Sequence, residues 1–228
     1  SPELLRVLNN LLASTFRLGQ LRRRDEVLAE FLQLATELGD AAIIRFTRGS
    51  AVPWTHFLQG HWDDASQAVE MFIAEAEAGA GHRLLRACYL LRAQIWLGRG
   101  DLLGATSDLE RAGNEPANPA DRHGFGNDAG VRAQILLETG RRAEAIAAAE
   151  TALEIARHEP FVLTPPLLRV LHRLDRGREA LEVLPAMPDV PFADAARLWA
   201  NGDARGAAGF LPDCRRSQDS RDNAANRL

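Results

Sequence analysis

The chain has 228 residues, 46% of them hydrophobic and 25% charged, with 27 basic against 31 acidic side chains and a formal charge of −4. That is the balance of an ordinary globular protein, and with no long basic run it argues against general nucleic-acid binding, which rests on phosphate neutralisation. All 27 cations are arginine, which excludes a P-loop lysine and Schiff-base chemistry from this segment.

In chain order, residues 3–18 are apolar at helical spacing, with Leu4, Leu5, Leu8, Leu11, Leu12 and Phe16 on one stripe. Gly19 stops that run, and a second helix carrying Val27, Leu28, Phe31, Leu32, Leu34, Ala35 and Leu38 closes at Gly39-Asp40. Residues 41–58 read as the next helix, with a kink or break expected at 50–52 because Pro53 removes a backbone donor and clashes with the preceding turn. Gly60 opens a helix to about Ala78 whose buried stripe is Ala65, Ala68, Val69, Phe72 and Ile73. Asp63 and Asp64 fall in its first turn, where negative charge suits the helix dipole. Gly79-Ala80-Gly81 ends it.

Residues 84–97 and 101–112 form the clearest pair, and 113–119 compose a linker to the next, at 124–138 and 141–157. A shorter pair follows at 161–174 and 176–184, with Asp175 where glycine is expected. Pro185, Pro188 and Pro191 rule out helix there, and a last pair covers 192–200 and 203–211. Beyond Pro212 the composition is that of a disordered tail, giving a helical domain over 1–211 and a polar tail over 212–228.

A frame underlies these pairs. Arg92-Ala93-Gln94-Ile95 returns forty residues later as Arg132-Ala133-Gln134-Ile135. Glycine is followed five positions on by alanine at Gly60/Ala65, Gly100/Ala105, Gly140/Ala145 and Gly202/Ala207. Such a period marks a repeat array. The glycine suits a tight turn with positive φ, and the alanine suits the point where paired helices approach most closely. Arg24 occupies the alanine slot of the first pair, and end repeats are expected to be atypical. No strand-period alternation competes, so the expected class is all-α. Trp62 and Trp96 are expected to cap or fill the core.

This frame resembles the tetratricopeptide-type repeats over roughly 3–211, although its forty-residue unit is longer than that family's 34. The resemblance implies a right-handed α-solenoid of about six antiparallel helix pairs. The unit length, and a closing stretch Pro191-Phe192-Ala193-Asp194-Ala195-Ala196-Arg197-Leu198-Trp199-Ala200-Asn201-Gly202-Asp203, are similar to the C-terminal arrays of large bacterial regulators. These are signal-transducing (STAND) ATPases with a LuxR-type DNA-binding domain, and related actinobacterial activators and cyclases. The arginine-only, alanine-rich usage fits a GC-rich bacterial genome. The likeness implies a non-catalytic module for protein–protein contact or ligand sensing in signal transduction or transcriptional regulation. Its partners would be a protein, a peptide or other domains of the same parent chain.

In the family's pattern the first helix of each pair lines the concave face. Trp54, Gln94 and Gln134, each six residues before a turn glycine, would then face inward, with Thr47, Asn127 and Glu138 nearby. An aromatic and two amides along one groove suit peptide or small-ligand recognition. The alternative is that Gln94 and Gln134 hydrogen-bond between neighbouring helices.

Candidates for chemistry are sparse. His56 and His61 are five apart, outside the i, i+4 spacing of a one-face metal site, and read as surface or groove histidines. His123-Gly124-Phe125-Gly126-Asn127 reads as a loop before a helix, without the context of a phosphate cradle. The clusters Arg22-Arg23-Arg24 and Arg215-Arg216 read as solvated, or as contacts for an acidic partner. Cys88 and Cys214 form no disulfide framework. Catalytic residues, cofactors and metals are not expected, and an enzyme with an inter-helix cleft is the opposing reading. A free-standing adaptor that self-associates is a further one. No run reaches about 18 apolar residues, so a cytoplasmic protein without a membrane partner is expected.

Overall fold

A computed structural model describes residues 1–17, 20–115, 122–159, 165–183, 197–198, 201 and 203. Every element among them is helical, and none of the helices is long and apolar enough to cross a membrane. The helices are α1 (Pro2–Arg17), α2 (Leu21–Glu37), α3 (Ala41–Gly49), α4 (Ala51–Gln59) and α5 (Trp62–Glu75). A π turn over Ala76–Ala80 leads to α6 (Leu85–Gly98), α7 (Leu102–Asn114), α8 (Arg122–Glu138), α9 (Arg142–Ala156), α10 (Pro165–Arg173) and α11 (Gly177–Val183). The Gly19 stop, the 161–164 lead-in, the proline run, all of the last pair but Arg197, Leu198 and Asp203, and the tail lie outside the described residues.

Packing is local in sequence. Helices α1 and α2, α4 and α5, α6 and α7, α8 and α9, and α10 and α11 lie against each other. Between pairs, α2 packs on α4, α5 on α6, α6 on α8 and α8 on α10. The core follows the chain in the same way. Leu5, Leu8, Leu12, Val27, Phe31 and Ala35 form its first part, Phe72, Leu91, Ile95-flanking Ala93 and Ile135 its middle, and Leu153, Leu167 and Leu171 its last. Each such leucine, isoleucine, valine or phenylalanine, once buried, contributes about 1.5–3 kcal/mol.

The frame read from the sequence is visible in the turns. Gly60, Gly100 and Gly140 have φ of 82°, 80° and 80°, and Gly39 has 67°. In each the following N–H donates back to the carbonyl five residues earlier, as Asp40 to Ala35, His61 to His56, Asp101 to Trp96 and Arg141 to Leu136 at 2.8–3.0 Å. This is the Schellman closure of a helix. Arg176 repeats it onto Leu171 at 2.8 Å, with Asp175 in the glycine place at φ 60°. Asp203 repeats it onto Leu198 at 2.9 Å, where the sequence places the last turn. The slot alanines Ala65, Ala105 and Ala145 are fully buried and Ala180 is 1% exposed.

The left-handed conformation gives a direct test. Gly140→Ala is expected to lose about 1–2 kcal/mol, the cost of a Cβ in that region, although nothing lies in the way of the new carbon. Asp175→Gly is expected to gain up to about 0.5 kcal/mol, since relief there is partly offset by glycine's unfolded-state entropy. Denaturation midpoints of the two variants, moving in opposite directions, would check both.

Pro53 acts as expected. Gly49 ends α3, Ser50 breaks the helix at φ −124° and ψ −84°, and α4 carries the buried Pro53 in its first turn. Ser50 Oγ donates to the Phe46 carbonyl at 2.7 Å and satisfies one loose end of α3.

Three readings are corrected. His123-Gly124-Phe125-Gly126-Asn127 is not a loop before a helix, because α8 begins at Arg122 and runs through it. Glycine costs a helix about 1 kcal/mol, but Gly126 and Gly130 share a buried face with Ala129 and Ala133, and packing outweighs propensity. Similarly α7 continues through Gly113 and Asn114, so the linker starts later than 113. Arg24 is not part of a solvated cluster. It is buried, its Nε donating to Thr55 Oγ1 at 2.8 Å and its Nη1 to the Leu12 carbonyl at 2.7 Å. Burial holds its pKa below the usual arginine value, the neighbouring Asp25 opposing. An arginine in the slot that elsewhere takes alanine thus ties α1 and α2 to α4.

Candidate functional site

The six residues read as lining a groove differ in access to solvent. Trp54 is half-buried on α4, its ring edge-on to Phe57 at 5.7 Å. Gln94 is half-buried on α6 and its Nε2 reaches the Leu90 carbonyl of its own helix at 3.4 Å, not a neighbouring helix. Gln134 is only 8% exposed and Thr47 2%. The Thr47 hydroxyl donates to the Ile43 carbonyl at 2.8 Å, so it is turned into α3. Asn127 is half-buried on α8, and Glu138 is held by Arg173 of α10 as a tie between successive pairs. The surface offered by this set is therefore Trp54, Gln94 and Asn127.

A cleft lies elsewhere, between the α6/α7 pair and the α8/α9 pair. It encloses about 440 Å³ and is lined by apolar Leu90, Leu109, Phe125 and Leu136, with Arg86, Asp128, Arg132 and Glu144 among them. Arg86 forms its fixed wall. Its Nε donates to Asp128 of α8 at 2.5 Å and its Nη1 to the Ala112 carbonyl, at the C-terminal end of α7, at 2.8 Å. Phe125, 41% exposed, stands on the cleft with its ring open to water.

Positions forty residues apart differ at this cleft. In the α6/α7 pair Arg92 is braced by the buried Asp108, Nε to Oδ2 and Nη2 to Oδ1 both at 2.7 Å, and Trp96 Nε1 donates to the same carboxylate at 3.2 Å. Hydrogen bonding to Asp108 raises the Arg92 pKa against the opposing effect of burial. One period on, Arg92 becomes Arg132, but Asp108 becomes Ala148. Arg132 has lost the brace, is exposed, and lines the cleft beside Ala148 and Glu144. Glu144 is itself engaged by Arg141 at 2.7 Å, and that bond first, then the charges of Arg141 and Arg132, hold its pKa below the usual carboxylate range.

Such a lining is suited to recognition: an apolar floor, one exposed aromatic ring and a guanidinium without the carboxylate its repeat counterpart has. Sequence reasoning missed it because it compared like positions, and the signal was a substitution between them, Asp108 to Ala148. Trp62, expected to fill the core, stacks on Phe57 at 6.0 Å and lies over Gly98 of α6, where a Cβ would come within 2.6 Å of its ring. Cys88, buried between α3 and α6, donates to the Gly49 carbonyl at 3.3 Å, and burial pushes its thiol up to about 12. Compared with known proteins, the chain matches no protein-family model and no curated protein.

Proposed function

We propose that the chain is a tetratricopeptide-like right-handed α-solenoid of about six helix pairs. It serves as a non-catalytic protein-interaction or ligand-sensing module of a cytoplasmic bacterial signalling or transcriptional regulator. Nearest-neighbour packing of successive pairs and the recurring left-handed turn support the architecture. One observation carries the binding role: the apolar cleft between α6/α7 and α8/α9, into which Arg132 is released because Ala148 replaces its brace. A planar guanidinium beside an exposed phenylalanine selects a carboxylate next to an apolar or aromatic group. An acidic, hydrophobic peptide of the same chain or of a partner has that chemistry.

The test uses fluorescein-labelled peptides of alternating leucine and glutamate, with leucine–lysine peptides as the comparison, read by anisotropy. The acidic series is expected to bind and the basic series not. Arg132→Glu should weaken the acidic series by about 10-fold or more, the effect of roughly 1.4 kcal/mol for a charge-assisted contact turned repulsive. Equal binding by wild type and Arg132→Glu would remove the cleft from the proposal. Membership in a regulator is tested separately, by an antibody to this segment detecting a polypeptide several times larger than 25.0 kDa in source lysate. A band at that size would favour the self-associating adaptor, for which Leu103, Met71 and Val7 are among the exposed apolar side chains.

A further inference from the structure

We propose that His56, His61 and Asp64 form a binding site for a divalent transition-metal ion of the zinc class at the turn between α4 and α5. The ligand atoms of the three side chains lie within 4.8 Å of one another. Five residues apart, two histidines cannot share a face of a single helix, but His56 lies in the last turn of α4 and His61 is the N-cap of α5, on either side of a turn. Gly60 in the left-handed conformation reverses the chain, and the His61 N–H donates to the His56 carbonyl at 2.9 Å. The last turn of α4 and the first turn of α5 are thereby held against each other, and Asp64 projects from that first turn.

The repeat frame shows how this turn departs from its sisters. Four residues before the turn position the other pairs carry Ala35, Trp96, Leu136 and Leu171, and this pair alone among them carries a histidine. One and four residues after the turn, Arg141 pairs with Glu144 and Arg176 with Glu179. Asp40 and Asp101 instead accept from the N–H groups of Ile43 and Gly104. Among the described residues, His61 and Asp64 do neither: His61 makes no side-chain cap bond and no ion pair joins it to Asp64. His56 Nδ1 is buried with no hydrogen-bond partner. Two imidazoles and a carboxylate are thus brought together without the bonds that employ the corresponding side chains elsewhere.

Two nitrogens and an oxygen suit zinc, and also nickel, cobalt and copper, better than they suit magnesium or calcium. Three protein ligands leave a fourth position for water or for a donor from a partner. Bonds of about 2.0–2.1 Å require ligand atoms roughly 3.3 Å apart in a tetrahedron, so the side chains must close by rotation. Asp64 is exposed and His61 half-exposed, and both are free at the surface to do so. Trp62 stacked on Phe57 beside the site supplies an optical reporter.

The experiment is a zinc titration by calorimetry on the full chain, free of any affinity tag and stripped with chelator. Cobalt titration is followed alongside by visible absorption and tryptophan quenching. One equivalent of saturable binding is expected, with cobalt absorption characteristic of a nitrogen–oxygen tetrahedral site. His61→Asn and Asp64→Asn, at positions open to water, should keep the wild-type helical circular dichroism and each weaken binding about 10-fold or more. His82→Asn, remote from the turn, should bind like wild type. Absence of saturable uptake, uptake undiminished in His61→Asn, or uptake lost in His82→Asn would overturn the site. None of these outcomes depends on peptide binding in the cleft.

Discussion

Asp108→Ala is expected to destabilise the protein by about 3–5 kcal/mol, the usual cost of removing one partner of a buried ion pair. Asp108 is 3% exposed, and the change would strand the Arg92 guanidinium and the Trp96 indole N–H together. Replacing both partners by apolar residues, Arg92→Met with Asp108→Leu, should cost far less, because no charge is left without a counterpart. Urea denaturation of the single and double variants distinguishes the two. If the single variant loses less than about 1 kcal/mol, the brace is no stronger than a surface pair. The raised pKa of Arg92 adds no pH dependence in the ordinary range. Its contribution is fully present below the unfolded arginine value and is lost only as pH rises through the higher folded one. Because the brace sets the spacing of α6 and α7, the single variant should also weaken peptide binding in the cleft they border.

That brace shows what could be read from the residues and what could not. The turn glycines and slot alanines were legible, since each meets a steric requirement that recurs with the period. Even Asp175 in a glycine place was identifiable by position. The break at Ser50 followed from Pro53 alone. Three things depended on neighbours distant in sequence. Arg24 lies in a run of three arginines, and only its contact with Leu12 and Thr55 distinguishes it from exposed Arg22 and Arg23. Gly124 and Gly126 carry a loop's composition, while the packed face of α8, on which Gly126 and Gly130 are buried, keeps the segment helical. Periodicity placed Thr47 and Gln134 with the groove residues, but register does not fix exposure, and both are buried. The five-residue spacing of His56 and His61 speaks only to a single helix, and it is the left-handed turn at Gly60 that brings the two together with Asp64.

Gly49→Ala is expected to lose about 1–3 kcal/mol, as overpacking does, even though alanine favours a helix over glycine by about 1 kcal/mol. The two effects oppose, and geometry decides between them. A Cβ on Gly49 would lie 2.4 Å from Cε2 of Phe72 on α5, a separation that real Cβ atoms essentially never show. The ring has little room to yield. It is 3% exposed, His82 meets it edge-on at 5.3 Å, and the Arg45 guanidinium lies 5.8 Å from its centre. Moving α3 instead would stretch the 3.3 Å contact from Cys88 Sγ to the Gly49 carbonyl and so disturb α6 as well. Glycine here is therefore kept by the crossing of α3 over α5, with no special backbone angle involved. Phe72→Leu in the Gly49→Ala background should recover part of the loss, because the smaller side chain vacates the space the new methyl needs. The recovery is read as the coupling energy of a double-mutant cycle on urea midpoints. A Gly49→Ala variant more stable than wild type would mean that the ring swings aside and that helix propensity, not the crossing, governs this position.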